Sequence, residues 1–141
     1  MTKGSFEKLH ASDRCLYGPR MLLLAGFSVE AQDKFETLLQ WLGFSELPIV
    51  WATSDQRQSS VGDLVQLPHA AGKGQPSSLP RAVIAGGITE KELHNLMSGC
   101  RKAGMKHALW ATLTPTSTTW PLGRLLNELA AERKALAAKK G

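Results

Sequence analysis

The sequence predicts an α+β fold: two tandem β-α-β units in a ferredoxin-like sandwich, with an extra C-terminal helix. Three observations predict it. Landmarks return in the same order about sixty residues later, the signature of a repeated unit. Leu22-Leu23-Leu24-Ala25-Gly26-Phe27-Ser28 returns as Ala82-Val83-Ile84-Ala85-Gly86-Gly87-Ile88-Thr89, Trp51-Ala52-Thr53 as Trp110-Ala111-Thr112, and Val61-Gly62-Asp63-Leu64-Val65 as Leu122-Gly123-Arg124-Leu125-Leu126. Within each copy a short apolar run gives way to helical spacing. The 141 residues, 43% apolar and 21% charged, suffice for one buried core without a metal or disulfide staple. A small parallel α/β sheet is the alternative, since strands and helices alternate. The split arrangement is favoured because the connector between copies is long, and four parallel strands make a small sheet to cover on both faces.

Each element follows from local chemistry. Residues 1–19 read as a flexible N-terminal segment. Lys3, Lys8 and Arg14 are interrupted by Glu7 and Asp13, and no apolar stretch follows them, so a secretory signal is not expected, while a targeting remnant stays open. The first unit spans residues 20–67. Met21–Ala25 is a buried strand ending at Gly26, and Ser28 sits where a helix N-cap belongs. Phe35, Leu38, Leu39 and Leu42 then form one helix face up to Gly43. A strand over Pro48–Thr53 and a brief helix over Val61–Leu67 complete the unit. Residues 68–80 hold three Pro, two Gly and two Ser and read as a flexible connector. The second unit spans 81–138. It has a strand Ala82–Ala85, and Thr89-Glu90-Lys91-Glu92 as a capping box. A stripe of Leu93, Leu96, Met97 and Cys100 runs to Gly104, followed by a strand His107–Leu113 and a helix from Leu122 to Ala138.

The run Ala111-Thr112-Leu113-Thr114-Pro115-Thr116, followed by Trp120, Leu122, Leu125 and Leu126, carries a resemblance. Arg81 to Arg133 resembles a domain-of-unknown-function family of small bacterial proteins with relatives in photosynthetic eukaryotes. Arg20 to Leu67 looks like the degenerate upstream copy that such proteins carry. Ser117 stands where the family pattern has Asn, so the resemblance brings over no role for an amide there. It implies a small α/β domain and no established activity.

The chemistries that the residue patterns exclude narrow the function. No catalytic set is expected: there is no GxSxG, and Glu90 and Glu92 suit the first turn of a helix better than acid–base work. A Walker loop and a GxGxxG turn are both missing. His10, His69, His94 and His107 are scattered, and none has a ligand partner at metal spacing. No metal or cofactor is therefore expected. Cys15 and Cys100 are isolated thiols, suited to a reducing compartment, either the cytoplasm or a plastid stroma. Specific nucleic-acid binding is not expected, because the strands placed centrally, Met21–Ala25 and Ala82–Ala85, carry no aromatic side chain on which a base could stack. No apolar run approaches the length of a membrane span.

What remains is interaction. Residues 1–80 hold 7 basic and 8 acidic side chains, whereas residues 81–141 hold 10 and 4, so the second half is strongly positive. The leading expectation is a non-enzymatic protein-interaction or assembly module. Its partner face would be Trp120, Leu122, Leu125, Leu129, Arg133 and Leu136. The alternative is a regulatory domain that binds a small molecule or anion such as phosphate or a nucleotide. Its loop would be Thr114, Thr116, Ser117, Thr118 and Thr119, ahead of a helix N-terminus, with Arg81 or Arg101 as charge partner. The competing reading of that loop is that its hydroxyls satisfy their own backbone.

Overall fold

A computed structural model describes residues 14–105 and 107–140, with side chains as far as Ala137. His10, residues 1–13 of the expected N-terminal segment, and the side chains of the basic tail lie outside that description. The elements in order are β1 (Met21–Ala25), α1 (Val29–Leu42), β2 (Ile49–Trp51), a 3-10 turn (Ser54–Gln56), α2 (Val61–Leu64), β3 (Ala82–Gly86), α3 (Glu90–Lys102), β4 (Leu109–Thr112), a second 3-10 turn (Ser117–Thr119) and α4 (Leu122–Lys140).

The helix starts are those the sequence encodes. Ser28 Oγ accepts the Ala31 N–H at 3.1 Å. Thr89 Oγ1 accepts the Glu92 N–H at 3.0 Å, while Glu92 Oε1 accepts the Thr89 N–H at 2.9 Å, a reciprocal box that satisfies two otherwise free donors. β1 and β3 are buried at every residue, as expected of strands covered on both faces. β2, α2 and β4 are each shorter than their apolar runs.

The strand order is β2-β1-β3-β4. β1 pairs parallel with β2 and β3 parallel with β4, while β1 and β3 pair antiparallel. The result is an open mixed sheet, and it corrects both expected topologies. In a ferredoxin-like sandwich each β-α-β unit is split by a strand of the other, whereas here both units are unsplit. An all-parallel sheet is excluded at its centre. The connector supplies the reason. It brings Leu79 and Arg81 against Gly26, where a Cβ would lie 2.5 Å from the Leu79 carbonyl oxygen and the Arg81 nitrogen. β3 therefore begins where β1 ends, with Ala82 opposite Ala25, and runs back along it.

Both faces of this small sheet are covered. α1 and α3 pack on the face made by Leu22, Leu24, Val83 and Ala85, with Phe27, Phe35, Leu39 and Leu96 among them. α2 and α4 pack on the face of Leu23, Ala25, Ala82 and Ile84, through Val61, Leu64, Leu122 and Leu126.

The two units correspond at a constant separation of 61 residues. Gly26 matches Gly87, Ser28 matches Thr89, Gly43 matches Gly104, and Gly62 matches Gly123. The central pairing is symmetric under the same shift. Leu23 opposes Ile84, with Met21–Gly86 and Ala25–Ala82 at equal distances on either side. The tryptophan tripeptides do not obey it. Trp51 pairs with Leu24, but Trp110 pairs with Val83, the counterpart of Leu22. The expected equivalence of Trp51 and Trp110 is thus two residues out of register. A slip of two keeps a side chain on the same face of a strand, so hydrophobic patterning does not reveal the error.

The connector 68–80 is bound along its length, not a free tether. His69 Nδ1 accepts the Ile49 N–H, the Ala70 N–H donates to Ile49 O, and the Trp51 N–H donates to Ala71 O. Gly72 follows at a φ of +80°, where a Cβ would lie 1.9 Å from Trp51 O, so the close approach admits glycine alone. Gln32, 1% exposed, accepts the Gly74 N–H and donates to Gln75 O. Lys73 pairs with Asp33 and Glu36.

Arg20, just before β1, bonds Glu92 at the start of α3 and Glu46 ahead of β2. This guanidinium, with help from the Thr89 N–H, holds the Glu92 carboxyl down at about 2, against an ordinary value of 4.5. A depressed native pKa stabilises the fold above the unfolded value, and that contribution is lost as pH falls through the native one. Urea denaturation of the wild type should show stability from this pair intact above about pH 5 and declining towards pH 2. Arg20→Met should be the less stable protein at neutral pH and should show a shallower acid decline. At the centre of the sheet, Leu23→Ala and Ile84→Ala should each cost about 2–5 kcal/mol by the same measurement. The double variant should lose less than the sum, because the two side chains are cross-strand neighbours.

Candidate functional site

The threonine-rich loop uses the hydroxyls of Thr114, Ser117, Thr118 and Thr119 on itself, and Thr116 is exposed. Thr114 Oγ1 accepts the Ser117 N–H at 2.9 Å, and Ser117 Oγ accepts the Thr114 N–H at 3.0 Å. Thr118 and Thr119 donate their hydroxyls to Pro115 O and Thr116 O. The helix that follows has its first donors occupied too. The Leu122 N–H donates to Ser59 O and the Gly123 N–H to Arg57 O, at 2.9 and 2.8 Å. The first unit thus caps the helix of the second, and in return the Val61 N–H donates to Trp120 O. Gly62 faces this junction closely, where a Cβ would lie 2.9 Å from Thr118 O. The N–H groups of Thr114, Ser117, Thr118, Thr119 and Trp120 are bonded within the loop, and the N–H groups of Val61, Leu122 and Gly123 join α2 to α4.

The proposed charge partners are elsewhere. Arg81 precedes β3, and its carbonyl oxygen accepts the N–H of Leu109 at the start of β4. The loop leaves the far end of β4, about four strand residues or roughly 13 Å away. Arg101 is exposed near the end of α3, a helix that runs back towards the Arg81 end. The structure therefore does not bring Arg81 or Arg101 to Thr114, Thr116, Ser117, Thr118 and Thr119.

The proposed partner face is divided. Leu122 and Leu125 are buried in the core, because the first two turns of α4 lie on the sheet. Trp120 is half-buried beneath Arg124, whose guanidinium sits 4.1 Å from the ring centroid. Arg133 reaches back to bond His107 O at 2.9 Å and Ala108 O at 3.4 Å. Leu129 packs partly, and Leu136 is 61% exposed. Of the six residues, Leu129, Arg133 and Leu136 remain together, and with Trp110 they line a groove against β4.

That groove borders a feature the residue patterns did not reveal. In β4, Leu109 and Leu113 direct their N–H groups to β3, so the alternating groups of Trp110 and Thr112 point outward. Among the described residues no acceptor meets those two N–H groups. The matching groups of β2, on Ile49 and Trp51, are those bonded by residues 69–71. One edge of the sheet is closed and the other is open.

A second unforeseen feature is a cleft of about 180 Å³ between α1 and the end of α3. Phe27, Phe35, Leu38 and Met105 make its apolar wall, and Lys34 and Arg81 its cationic rim. Phe27 and Phe35 pack with their rings tilted by 60° and centroids 5.2 Å apart, and Trp51 meets both edge-on.

Other groups have settled roles. Burial pushes the Cys100 thiol up to about 12, which keeps it protonated and unreactive; Cys15 is exposed. His69 is the backbone acceptor already described. Among the described residues no cluster of His, Cys, Asp and Glu is placed to hold a metal ion, and no helix is long and apolar enough to cross a membrane.

No curated protein and no solved structure matches the chain. A family model does match the second unit, from the residue before β3 to Leu136 in α4. Over residues 81–136 the protein matches the family described as Domain of unknown function (DUF3783), the stretch in which the resemblance was read from sequence.

Proposed function

We propose that the protein is a non-enzymatic docking module that accepts an extended segment of another protein along the open edge of β4. The observation that carries this reading is the unequal treatment of the two sheet edges. On β2, the turns of residues 69–71 cover the outward groups with one side-chain and two main-chain bonds. Trp110 and Thr112 are the residues that match Ile49 and Trp51 in register, and they offer the same groups to a strand that the chain does not supply. Strand addition draws affinity from main-chain bonds and selectivity from neighbouring pockets. Here the groove of Leu109, Leu129 and Leu136 would receive alternate side chains.

The occupant we infer is an extended segment of a different protein, and charge argues for its character. The positive balance of residues 81–141 favours a segment of acidic character. We also infer from the constant 61-residue spacing that the halves descend from one duplicated unit. The anion reading of the Thr114–Thr119 loop gains no support from the hydroxyls of Thr114, Ser117, Thr118 and Thr119, which are bonded within the loop.

Thr112→Pro tests the reading, because it removes an outward N–H without touching the ladder to β3, and an edge strand tolerates such a proline. Peptides selected from a random displayed library should bind the wild type, and they should bind Thr112→Pro about ten-fold or more weakly. Leu129→Asp should weaken the same peptides, with denaturation curves close to wild type for Thr112→Pro. A library that yields no binder, or binders indifferent to both variants, would overturn the proposal. So would a wild-type dimer by light scattering that Thr112→Pro dissolves, since the edge would then belong to a second copy.

A further inference from the structure

We propose that the cleft between α1 and the end of α3 binds a small organic monoanion, a carboxylate carried on a flat apolar body. This inference is independent of strand docking at β4. Arg81 is its centre. The guanidinium lies over the Phe27 ring, 4.7 Å from the centroid, and its Nε reaches Gly26 O at a long 3.5 Å. Its two Nη groups meet no carboxylate among the described residues. Arg20 and Lys73 are treated differently, since each is held by two carboxylates. Lys34 adds a second cation at the rim, also without an ion pair among the described residues. Among the described residues no acidic side chain lines the cleft.

An arginine stacked on an aromatic face keeps its planar fork directed outward, the geometry that binds a carboxylate through two parallel bonds. The wall below it fits an apolar body, with Phe35, Leu38 and Met105 alongside Phe27. Ala103 and Gly104, at the end of α3, bring the negative end of a helix dipole to the same place. That end amounts to about half a charge, which the two cations outweigh. Size sets the ligand class. A space of about 180 Å³ lies below the usual range for drug-sized ligands. A ring or short chain bearing one carboxylate fits.

The test is a titration at constant ionic strength with three probes, followed by the Met105 methyl resonance and by calorimetry. The probes are benzoate, benzyl alcohol with the same ring and no charge, and inorganic phosphate with charge and no ring. Benzoate should saturate with a Kd of about 1 mM or tighter and shift the Met105 methyl. Benzyl alcohol and phosphate should each bind about ten-fold or more weakly. Arg81→Gln should abolish the difference between benzoate and benzyl alcohol. Lys34→Gln, at an exposed position that leaves the fold intact, should reduce that difference by a smaller factor. Equal binding of benzoate and benzyl alcohol would leave a merely apolar groove and overturn the proposal. Equal binding of benzoate and phosphate, indifference to both substitutions, or no saturable shift would overturn it as well.

Discussion

The antiparallel contact between β1 and β3 is the constraint from which the other features follow. Neither β-α-β unit can bury its apolar surface alone, because two short parallel strands and one helix leave a sheet face and a strand edge in water. Joining Met21–Ala25 to Ala82–Gly86 about the Leu23–Ile84 pair gives a four-stranded sheet with two usable faces. The same pairing points the units in opposite directions, so each sends its trailing loop across the shared face. Those loops meet at Ser60 and Pro121 and satisfy each other's backbone. The first turn of α4 is anchored by carbonyls of the other unit, which a lone second unit would not possess.

Near-symmetry makes the departures from it informative. After β2 the chain turns back and runs beside its own edge through Ala70 and Ala71, whereas after β4 it continues into a helix of 19 residues. The first solution consumes an edge, and the second preserves one and builds a groove beside it. Exposed edges invite promiscuous pairing. Arg133, bonded to the carbonyls at the start of β4, occupies part of this one and places a charge against it. Phe27 and Phe35, which wall the cleft near Arg81, belong to the first unit and have smaller counterparts, Ile88 and Leu96, in the second.

Much of the local structure was legible in the sequence, since it depends on neighbours. Ser28, Thr89 and Glu92 announce helix starts by chemistry that reaches three residues, and buried strands show as uninterrupted apolar runs. The family match over the second unit was legible from the run around Thr114 and Trp120. What escaped depends on distant partners. Gln32 looks like any polar helical residue until Gly74 and Gln75 are found beside it. The hydroxyls of Thr114 to Thr119 carry the same signal whether they hold a ligand or a turn. Strand order was missed because a β-α-β pattern is compatible with several sheets. The choice among them lies in where thirteen Pro-, Gly- and Ser-rich residues deliver the chain, which composition does not encode.

The grip on that connector has a consequence for the topology of self-association. Two-unit proteins joined through a slack linker can trade halves, each β1 accepting the β3 of a neighbour to form an intertwined pair. Here Gln32, Lys73 and the close passage at Gly72 fasten the linker to the first unit and deliver Leu79 beside Gly26. The strand that belongs next to β1 is thereby held at a high effective concentration within its own molecule. Reciprocal exchange would require peeling the linker from a buried glutamine and a sheet edge before any new contact forms, so each polypeptide is biased to close upon itself.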